Sequence, residues 1–326
     1  MHVSEIIFQI KNTAQFNEMA LNIFRIQAEN NKLYHDFINN LQCDNEKITH
    51  FSQIPFLPIE LFKNHCIVTG NQPSQLVFTS SGTTGGETSH HYITDIEIYH
   101  RSFLQCFELF YGNPDKYIFL ALLPSYLGRE GSSLVYMMEK LIQHSSHPLS
   151  AFFHNNTDEL VKIIKNPAPP NRKYFIWGVT YALLKMAQEH ELNLSESILL
   201  ETGGMKGRMP ELTRSELHQI LCSRFHCPVI HSEYGMTELL SQAYSSGNGI
   251  FKCPPWMAVL VRDPNDPFNI LPPGKRGGIN IIDLANLNSC AFIATSDLGI
   301  VYPDGSFEVA GRFDASDIRG CNLLMS

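Results

Sequence analysis

Leu76-Val77-Phe78-Thr79-Ser80-Ser81-Gly82-Thr83-Thr84-Gly85-Gly86 opens the part of the chain that decides its fold. Leu76 to Phe78 reads as a short strand. The hydroxyls and glycines after it read as a loop whose backbone N–H groups can form a nest for an anion. No Gly-Lys-Ser/Thr follows, so the loop is not a Walker-type phosphate loop. On composition alone, a plain Ser/Thr/Gly loop is the other open reading. From this loop onward strand and helix signals alternate. Thr94, with Glu97 three residues on, predicts a capping box. Ile96, Tyr99, Phe103, Cys106, Phe107 and Phe110 predict one apolar helix stripe that Gly112 ends. The run from Tyr117 to Leu123 is continuously apolar, as in a strand buried on both faces. Leu134, Met138, Leu141 and Ile142 mark a helix. Tyr174 to Trp177, Ile198 to Leu200 and Val229-Ile230 read as strands. Helices carry Leu183, Leu184 and Ala187 and, starting from Pro210, Leu217, Ile220, Leu221 and Phe225. The alternation predicts an α/β fold with a mostly parallel sheet.

On either side of this core the pattern changes. The first 65 or so residues show helical stripes (Phe16, Met19, Ala20 and Ile23; Tyr34, Phe37, Ile38 and Leu41) and read as locally self-contained. Pro55 and Pro58 force an extended segment after them. Beyond residue 250, Pro, Gly and Asp punctuate short strand-like pieces such as Ala258 to Val261 and Gly278 to Ile282. The expected organisation has four parts. A helical N-terminal segment, 1–75, packs on an α/β nucleotide-binding core, 76–250. A smaller β subdomain, 251–310, follows, and then a hinge-like tail, 311–326.

Composition excludes several classes. The chain has 326 residues, a formal charge of -8, 44% apolar residues and 17% charged residues. That is too apolar for general disorder and too acidic for a bulk nucleic-acid binder. No apolar run approaches the roughly 20 residues that span a bilayer, so no stable membrane insertion is expected. Eight scattered cysteines without a CxxC pair read as reduced thiols, which points to the cytoplasm.

Three further stretches carry chemistry: His231-Ser232-Glu233-Tyr234-Gly235-Met236-Thr237-Glu238, Thr295-Ser296-Asp297-Leu298-Gly299 and Gly311-Arg312-Phe313-Asp314. An aromatic ring can stack on a base and a carboxylate can hold Mg²⁺. An Asp suits a ribose diol, and an Arg suits phosphate. Singly, each also reads as an ordinary turn or surface ion pair. In this order, together with the Ser/Thr/Gly loop, they resemble the adenylate-forming, acyl-CoA synthetase-like superfamily, which includes phenylacetate-CoA ligase. Finer text is similar to the LuxE-type acyl-protein synthetases: Ile54 to Lys63, Tyr126 to Ser133, Gly203 to Arg208, and Cys253 to Met257.

The resemblance implies the fold of an adenylate-forming large domain, with ATP and Mg²⁺ as cofactors. It places Ser80, Ser81, Gly82, Thr83, Thr84 and Gly85 around the ATP phosphates. Tyr234 stacks on adenine over a floor of Gly203 and Gly204. Glu238 is the metal ligand and Thr237 contacts the adenylate phosphate. Asp297 holds the ribose, assisted by Arg312. Where the superfamily's loop continues with lysines, this chain reads Gly86-Glu87-Thr88-Ser89. Lys206 and Arg208 are candidates to supply the missing charge, and both also read as solvated surface cations. Superfamily members continue into a lid domain of roughly a hundred residues, and the expectation here is a chain without that lid. In its place stands Ser316-Asp317-Ile318-Arg319-Gly320-Cys321. In LuxE-type proteins a cysteine near the C-terminus takes the acyl group as a thioester, so Cys321 is the implied nucleophile.

The expected activity is therefore ATP-dependent activation of a carboxylic acid, with a fatty acid as the implied class. The acyl group then passes to Cys321 for delivery to a LuxC-type acyl reductase partner. Two alternatives stay open: an acyl-CoA ligase using free coenzyme A, and a non-catalytic nucleotide- or acyl-binding subunit. Cys222, His226, Cys227 and His231 lie close in sequence, and the first two share helical i, i+4 spacing. Such spacing can serve zinc, but Pro228 draws His231 away toward the motif it opens. Tyr126, Tyr136 and Trp177 are candidate acyl-pocket aromatics and equally candidate core residues.

Overall fold

The computed structural model describes residues 3–80, 88–124, 131–154, 156–203 and 212–313. The chain begins with helices α1 (Val3–Ile6), α2 (Thr13–Asn30) and α3 (Lys32–Asn40), strand β1 (Leu57–Pro58) and helix α4 (Leu61–Asn64). Strands β2 (Leu76–Thr79) and β3 (His90–Ile93) precede α5 (Ile96–Tyr111), β4 (Tyr117–Leu122), α6 (Ser133–Ser145), β5 (Ala151–Phe152) and α7 (Thr157–Ile164). Then come β6 (Lys173–Val179), α8 (Thr180–Glu189), β7 (Ile198–Thr202), α9 (Arg214–Phe225), β8 (His231–Tyr234) and β9 (Ala243–Ser245). The last strands are β10 (Met257–Arg262), β11 (Arg276–Asp283), β12 (Phe292–Val301) and β13 (Phe307–Arg312). These elements divide into two compact units, one of residues 76–89 and 96–251, the other of residues 1–75, 90–95 and 252–326.

The first of these units is the α/β core. Its sheet runs β5-β4-β6-β7-β8-β9. The first five strands are parallel and β9 is antiparallel. Parallel strands buried on both faces need apolar residues throughout. Accordingly, every residue of β4 and all of β6 but Lys173 are buried. The chain leaves β4 for β5 on one side and returns to β6 on the other, so right-handed crossovers put helices on both faces. One face packs against α5, where Phe107 lies 5.5 Å from Phe119 and 5.4 Å from Phe175 between ring centroids. On the other face α8 approaches so closely that a Cβ at Gly178 would sit 2.6 Å from Leu183 Cγ.

Three local expectations need correction. Helix α5 begins at Ile96, which puts Asp95 in the capping position, and the Thr94 hydroxyl is buried with no hydrogen-bond partner. Helix α9 begins at Arg214, well after Pro210. Its capping box is Thr213 with Glu216, with both reciprocal hydrogen bonds present. The strand expected at Val229-Ile230 is instead His231–Tyr234, so the motif lies within the strand. Its alternation of half-buried and buried polar residues does not look like a core strand in sequence, because the neighbouring strands, not water, satisfy those groups.

The second unit is built on a five-stranded sheet, β1-β12-β11-β10, with β13 also on β12. β1 runs parallel to β12 beside Ile293-Ala294, and β13 runs antiparallel to it from Asp297 to Val301. The N-terminal helices are tied to this unit, so the first 65 residues are not self-contained. Gln27 Nε2 donates to the carbonyls of Asn286 (3.0 Å) and Leu287 (3.1 Å), and its Oε1 accepts from the Ala291 N–H (3.0 Å). Asn31 Nδ2 donates to the Ser289 carbonyl at 2.9 Å. Phe24, Tyr34 and Phe56 surround Phe292, with centroids 6.2, 6.1 and 6.4 Å away. No helix among the described residues is long and apolar enough to cross a membrane.

Gln27 is fully buried and serves three backbone groups that are 259 to 264 residues away in sequence. Gln27→Ala leaves those groups unpaired, at about 1–3 kcal/mol for each buried orphan. The variant should lose at least about 3 kcal/mol in urea denaturation with an unchanged m-value. A loss below about 0.5 kcal/mol means the amide is not needed.

Candidate functional site

Parallel strands present their carboxyl ends on one edge, and α/β sheets bind ligands there. At that edge of the α/β core, β7 ends in Thr202 and then Gly203, whose φ of +81° lies in the region that glycine adopts freely. Two strand positions from the neighbouring β8 follow as Tyr234 and a turn. Tyr234 is buried, with its ring 5.9 Å from Phe251. Thr237 and Glu238 lie on the turn, and Glu238 is only 6% exposed. The start of the Ser/Thr/Gly loop is pinned in the same unit. The Ser80 N–H donates to the Ser89 carbonyl (3.0 Å), and the Ser89 N–H donates to Ser80 Oγ (2.8 Å). The Thr79 N–H donates to the Gly131 carbonyl at 2.8 Å. Gly131, at φ +80°, has no room for a side chain, since a Cβ would meet the Val77 carbonyl at 2.9 Å. Ser81, Gly82, Thr83, Thr84, Gly85, Gly204, Lys206, Arg208 and Cys321 lie outside the described residues.

Strand period sends Glu233 and Tyr234 to opposite faces. On the Tyr234 side the strand rows bring Glu201 and Ser232 together. Glu201 accepts from Ser232 Oγ (2.8 Å) and Thr180 Oγ1 (2.9 Å). His218 Nε2 lies 3.5 Å from its carboxylate and Arg214 Nε lies 3.6 Å away. Burial alone would raise the Glu201 pKa, but His218, Arg214 and Ser232 outweigh it and hold the carboxyl below its ordinary value. Arg214 also covers the Phe251 ring, 5.0 Å from its centroid. Phe251 therefore touches both the Arg214 guanidinium and Tyr234. Sequence reading missed this network. The capping pair Thr213 and Glu216, which starts the helix bearing Arg214 and His218, is the signal that could have located it.

On the opposite side, Glu233 faces α5. Its carboxylate accepts a short hydrogen bond from Thr202 Oγ1. Burial first, and the nearby Glu201 charge, raise its pKa to about 7. Tyr244 stands directly across β8–β9 from Glu233. Tyr111 lies 5.3 Å from Tyr244, and its hydroxyl is 3.3 Å from His231 Nδ1. Burial lowers the His231 pKa, which favours a neutral imidazole.

In the second unit the structure pairs Asp297 with Arg312. They are register partners on β12 and β13, and Arg312 Nε donates to Asp297 Oδ1 at 3.0 Å. Asp297 is 6% exposed, and the Arg312 side chain is 76% exposed. Beneath them the half-buried Arg262 donates to the carbonyls of Ile279 (2.7 Å) and Thr295 (2.6 Å) and to Asn280 Oδ1 (2.7 Å). Its guanidinium thereby fixes the strands that carry Asp297. The stretch from Thr295 to Gly299 is strand, not turn. The candidate zinc set does not assemble. His226 is exposed and bonded to Glu191 at 2.8 Å, and His231 is turned toward Tyr111. Among the described residues no three His, Cys, Asp or Glu side chains are grouped to hold a metal.

No protein-family model matches the chain, and no curated protein matches it in sequence. Solved structures do match in shape. A 2-hydroxyisobutyryl-CoA ligase with bound 2-HIB-AMP and CoA superposes with a TM-score of 0.70 at 13% identity, over 94% of this chain and 72% of that one. The fold is that of the adenylate-forming enzymes. ATP-bound MatB from Rhodopseudomonas palustris gives a TM-score of 0.55 at 16% identity, over 74% of this chain and 49% of its own. AMP-bound MenE, an o-succinylbenzoate CoA synthetase from Bacillus subtilis, gives 0.52 at 17%, over 76% and 50%. The chain thus spans about half the length of MatB and MenE. At these identities the likeness establishes the large-domain α/β fold expected from the sequence.

Glu233 yields a pH prediction. Its pKa is raised in the folded state, so the folded protein holds the proton that the unfolded chain releases near 4.5. Its contribution to stability is intact below that value and declines as pH rises toward about 7. Glu233→Gln removes the titration. The stability of the variant minus that of wild type should climb between pH 4.5 and 7, by about 3 kcal/mol in total, and be flat outside that window. A difference that does not change with pH contradicts a buried, near-neutral carboxyl.

Proposed function

We propose that the chain activates a carboxylic acid with ATP and transfers the acyl group to its own Cys321, as an acyl-protein synthetase of the LuxE type. The observation that carries this reading is the gathering of Gly203, Tyr234, Thr237 and Glu238 at the carboxyl edge of one parallel sheet, within an adenylate-forming fold. The ATP, AMP and acyl-AMP in the structures of similar shape support the nucleotide assignment.

In the first step a carboxylate oxygen of the acid attacks the α-phosphorus of ATP and pyrophosphate leaves. Catalysis of this step is positioning and charge neutralisation. The Ser80 to Gly85 loop cradles the phosphates, with Lys206 a further cation for them. Tyr234 stacks on adenine above Gly203 and Gly204. Asp297 takes the ribose hydroxyls, and Arg312 holds its carboxylate in place. Thr237 contacts the phosphate that stays on the acyl group. Glu238 is the carboxylate of this turn, and a carboxylate oxygen is the kind of hard ligand Mg²⁺ would take. The metal supplies neutralisation of phosphate charge. In the second step the Cys321 thiolate attacks the acyl carbonyl, AMP leaves, and a thioester forms. Several other thiols are poor candidates. Burial pushes Cys227 and Cys290 up to about 12 and pushes Cys253 up as well. A LuxC-type acyl reductase in the cytoplasm is the proposed acceptor from the thioester, and a fatty acid is the class carried over from the resemblance.

The two half-reactions separate cleanly by mutation. Cys321→Ser should keep acid-dependent ATP–pyrophosphate exchange yet retain no labelled acyl group after denaturation, while Cys43→Ser labels normally. A hydroxylamine-labile label on Cys321→Ser would place the nucleophile elsewhere, and release of the label only to free coenzyme A would favour a CoA ligase.

The nucleotide roles are tested separately. Glu238→Gln should abolish exchange in a protein whose circular dichroism is unchanged. Asp297→Ala should weaken ATP binding by about 1.5–3 kcal/mol in calorimetry, because it removes charge-assisted hydrogen bonds. Equal ATP affinity in that variant would contradict the ribose role.

A further inference from the structure

Arg214 stands at the start of α9, directly after the Thr213 cap. Three features of the α/β core meet on its side chain. Its Nε lies 3.6 Å from Oε1 of the buried Glu201. Its guanidinium covers the Phe251 ring, 5.0 Å from the centroid. The backbone leading to Phe251 passes over its stem. At Gly249, whose φ is +69°, a Cβ would come within 3.1 Å of Arg214 Cδ. The loop from β9 to Phe251 is therefore laid against this one side chain. Phe251 is 1% exposed, and its ring lies 5.9 Å from that of Tyr234, tilted by 60°. The backbone of Tyr234 is tied to the same carboxylate. Ser232 and Tyr234 are two apart on β8 and share a face. Ser232 Oγ donates at 2.8 Å to Glu201 Oε1, the oxygen that Arg214 approaches. His218 Nε2, one turn along α9, lies 3.5 Å from that oxygen as well. Glu201 thus links the strand that carries Tyr234 to the side chain that carries Phe251.

We propose that Arg214 is a positioning residue for the adenine base: it holds Phe251 against Tyr234 and so fixes the plane on which the base stacks. The inference rests on the assignment of Tyr234 to adenine and deepens it. An aromatic platform contributes about five- to a hundredfold to the affinity for a base. That contribution needs the ring face to be aimed before the base arrives, since ordering it on binding costs affinity. The strand fixes the Tyr234 backbone through Ser232, but a tyrosine ring still turns about its side-chain torsions. Phe251 restrains that turning, and Arg214 restrains Phe251. A guanidinium suits the task because it is planar and stacks on a ring face, whereas an ammonium is a compact point charge. Glu201 keeps the guanidinium in place, because its departure would strand a buried carboxylate. Arg214 acts through Phe251 and Tyr234, so its effect belongs to the base and not to the phosphates or the acid.

The test compares two variants and their combination. Arg214→Lys keeps a cation beside Glu201 and loses the planar cover on Phe251. Phe251→Leu keeps an apolar side chain and loses the ring. ATP–pyrophosphate exchange is measured over a series of acids from acetate to palmitate. Each variant should raise the KM for ATP about five- to tenfold, with kcat within about twofold of wild type. The KM values for pyrophosphate and for the acid, neither of which carries a base, should stay within about twofold. In the Phe251→Leu background, adding Arg214→Lys should change the ATP KM by less than about twofold, because the arginine acts through the ring. A second readout needs no chemistry. In calorimetry the Kd for ATP should rise about five- to tenfold in each variant, and the Kd for inorganic triphosphate should not change. Equal ATP KM and Kd in wild type and both variants overturns the positioning role and leaves adenylation standing. A parallel rise in all three KM values, or independent effects in the double variant, also overturns it, since a purely structural role predicts either. No exchange with any acid, with ATP bound by wild type and weakened in both variants, removes adenylation and keeps the positioning role. No ATP binding by wild type removes both.

Discussion

Everything proposed for the α/β core depends on strand β8 being held between a parallel neighbour and an antiparallel one. Its four residues are His231, Ser232, Glu233 and Tyr234, none of them aliphatic. Such a sequence has little intrinsic reason to be a buried strand. It becomes one because its polar side chains find partners on each face. Ser232 donates to Glu201 on one side, and Glu233 accepts from Thr202 on the other. Once those bonds fix the register, the two-residue period places an aromatic ring toward one helix layer and a carboxyl toward the other.

The two faces treat buried charge differently. Glu201 is surrounded by a cation, a histidine and two hydroxyls, and its charge is stabilised against burial. Such a group stiffens its surroundings, because removing any one partner strands a buried carboxylate. Glu233 has one hydroxyl partner and is pushed toward its neutral form. Nearby stand unpaired indole, phenol and amide groups. The first arrangement is a completed network that supports Phe251 and Tyr234. The second is incomplete, an uncommon state for buried polar groups. One strand thus separates a completed polar network from an incomplete one.

The other unit brings its candidate residues together by a different route. Asp297 and Arg312 meet as direct cross-strand partners, so their pairing is a matter of β12–β13 register. A register irregularity at Leu298/Gly299 adjoins the pair. Arg262 anchors the same corner through three acceptors, the Ile279 carbonyl and Asn280 Oδ1 on β11 and the Thr295 carbonyl on β12. The exposed Arg312 guanidinium holds the buried Asp297 carboxylate through its Nε.

Sequence alone determined β2, α5, β4, α6, β6, α8, β7 and α9 in their order, because continuous apolar runs and helical stripes follow directly from burial on two faces or one, but it did not show β5, α7 or β9, which are short or mixed in polarity. It also fixed the motif text from Ser80 to Arg312, since glycine, hydroxyl and carboxylate positions are legible as residue types. It did not place the start of α9, the true extent of β8, or the attachment of the N-terminal helices through Gln27. Nor did it expose Glu201 with His218 and Arg214, or Glu233 with Trp177, Gln242 and Tyr244. Those depend on groups tens to hundreds of residues apart meeting at hydrogen-bond distance, and a single polar residue in sequence carries no sign of its partner. Trp177 reads equally as core or pocket from the chain, and only the packing of β6, β9 and α5 leaves its indole nitrogen unpaired. Whether a buried polar atom is satisfied is a property of three-dimensional neighbours, and that is why the tertiary structure, not the sequence, decided which of these groups are paired.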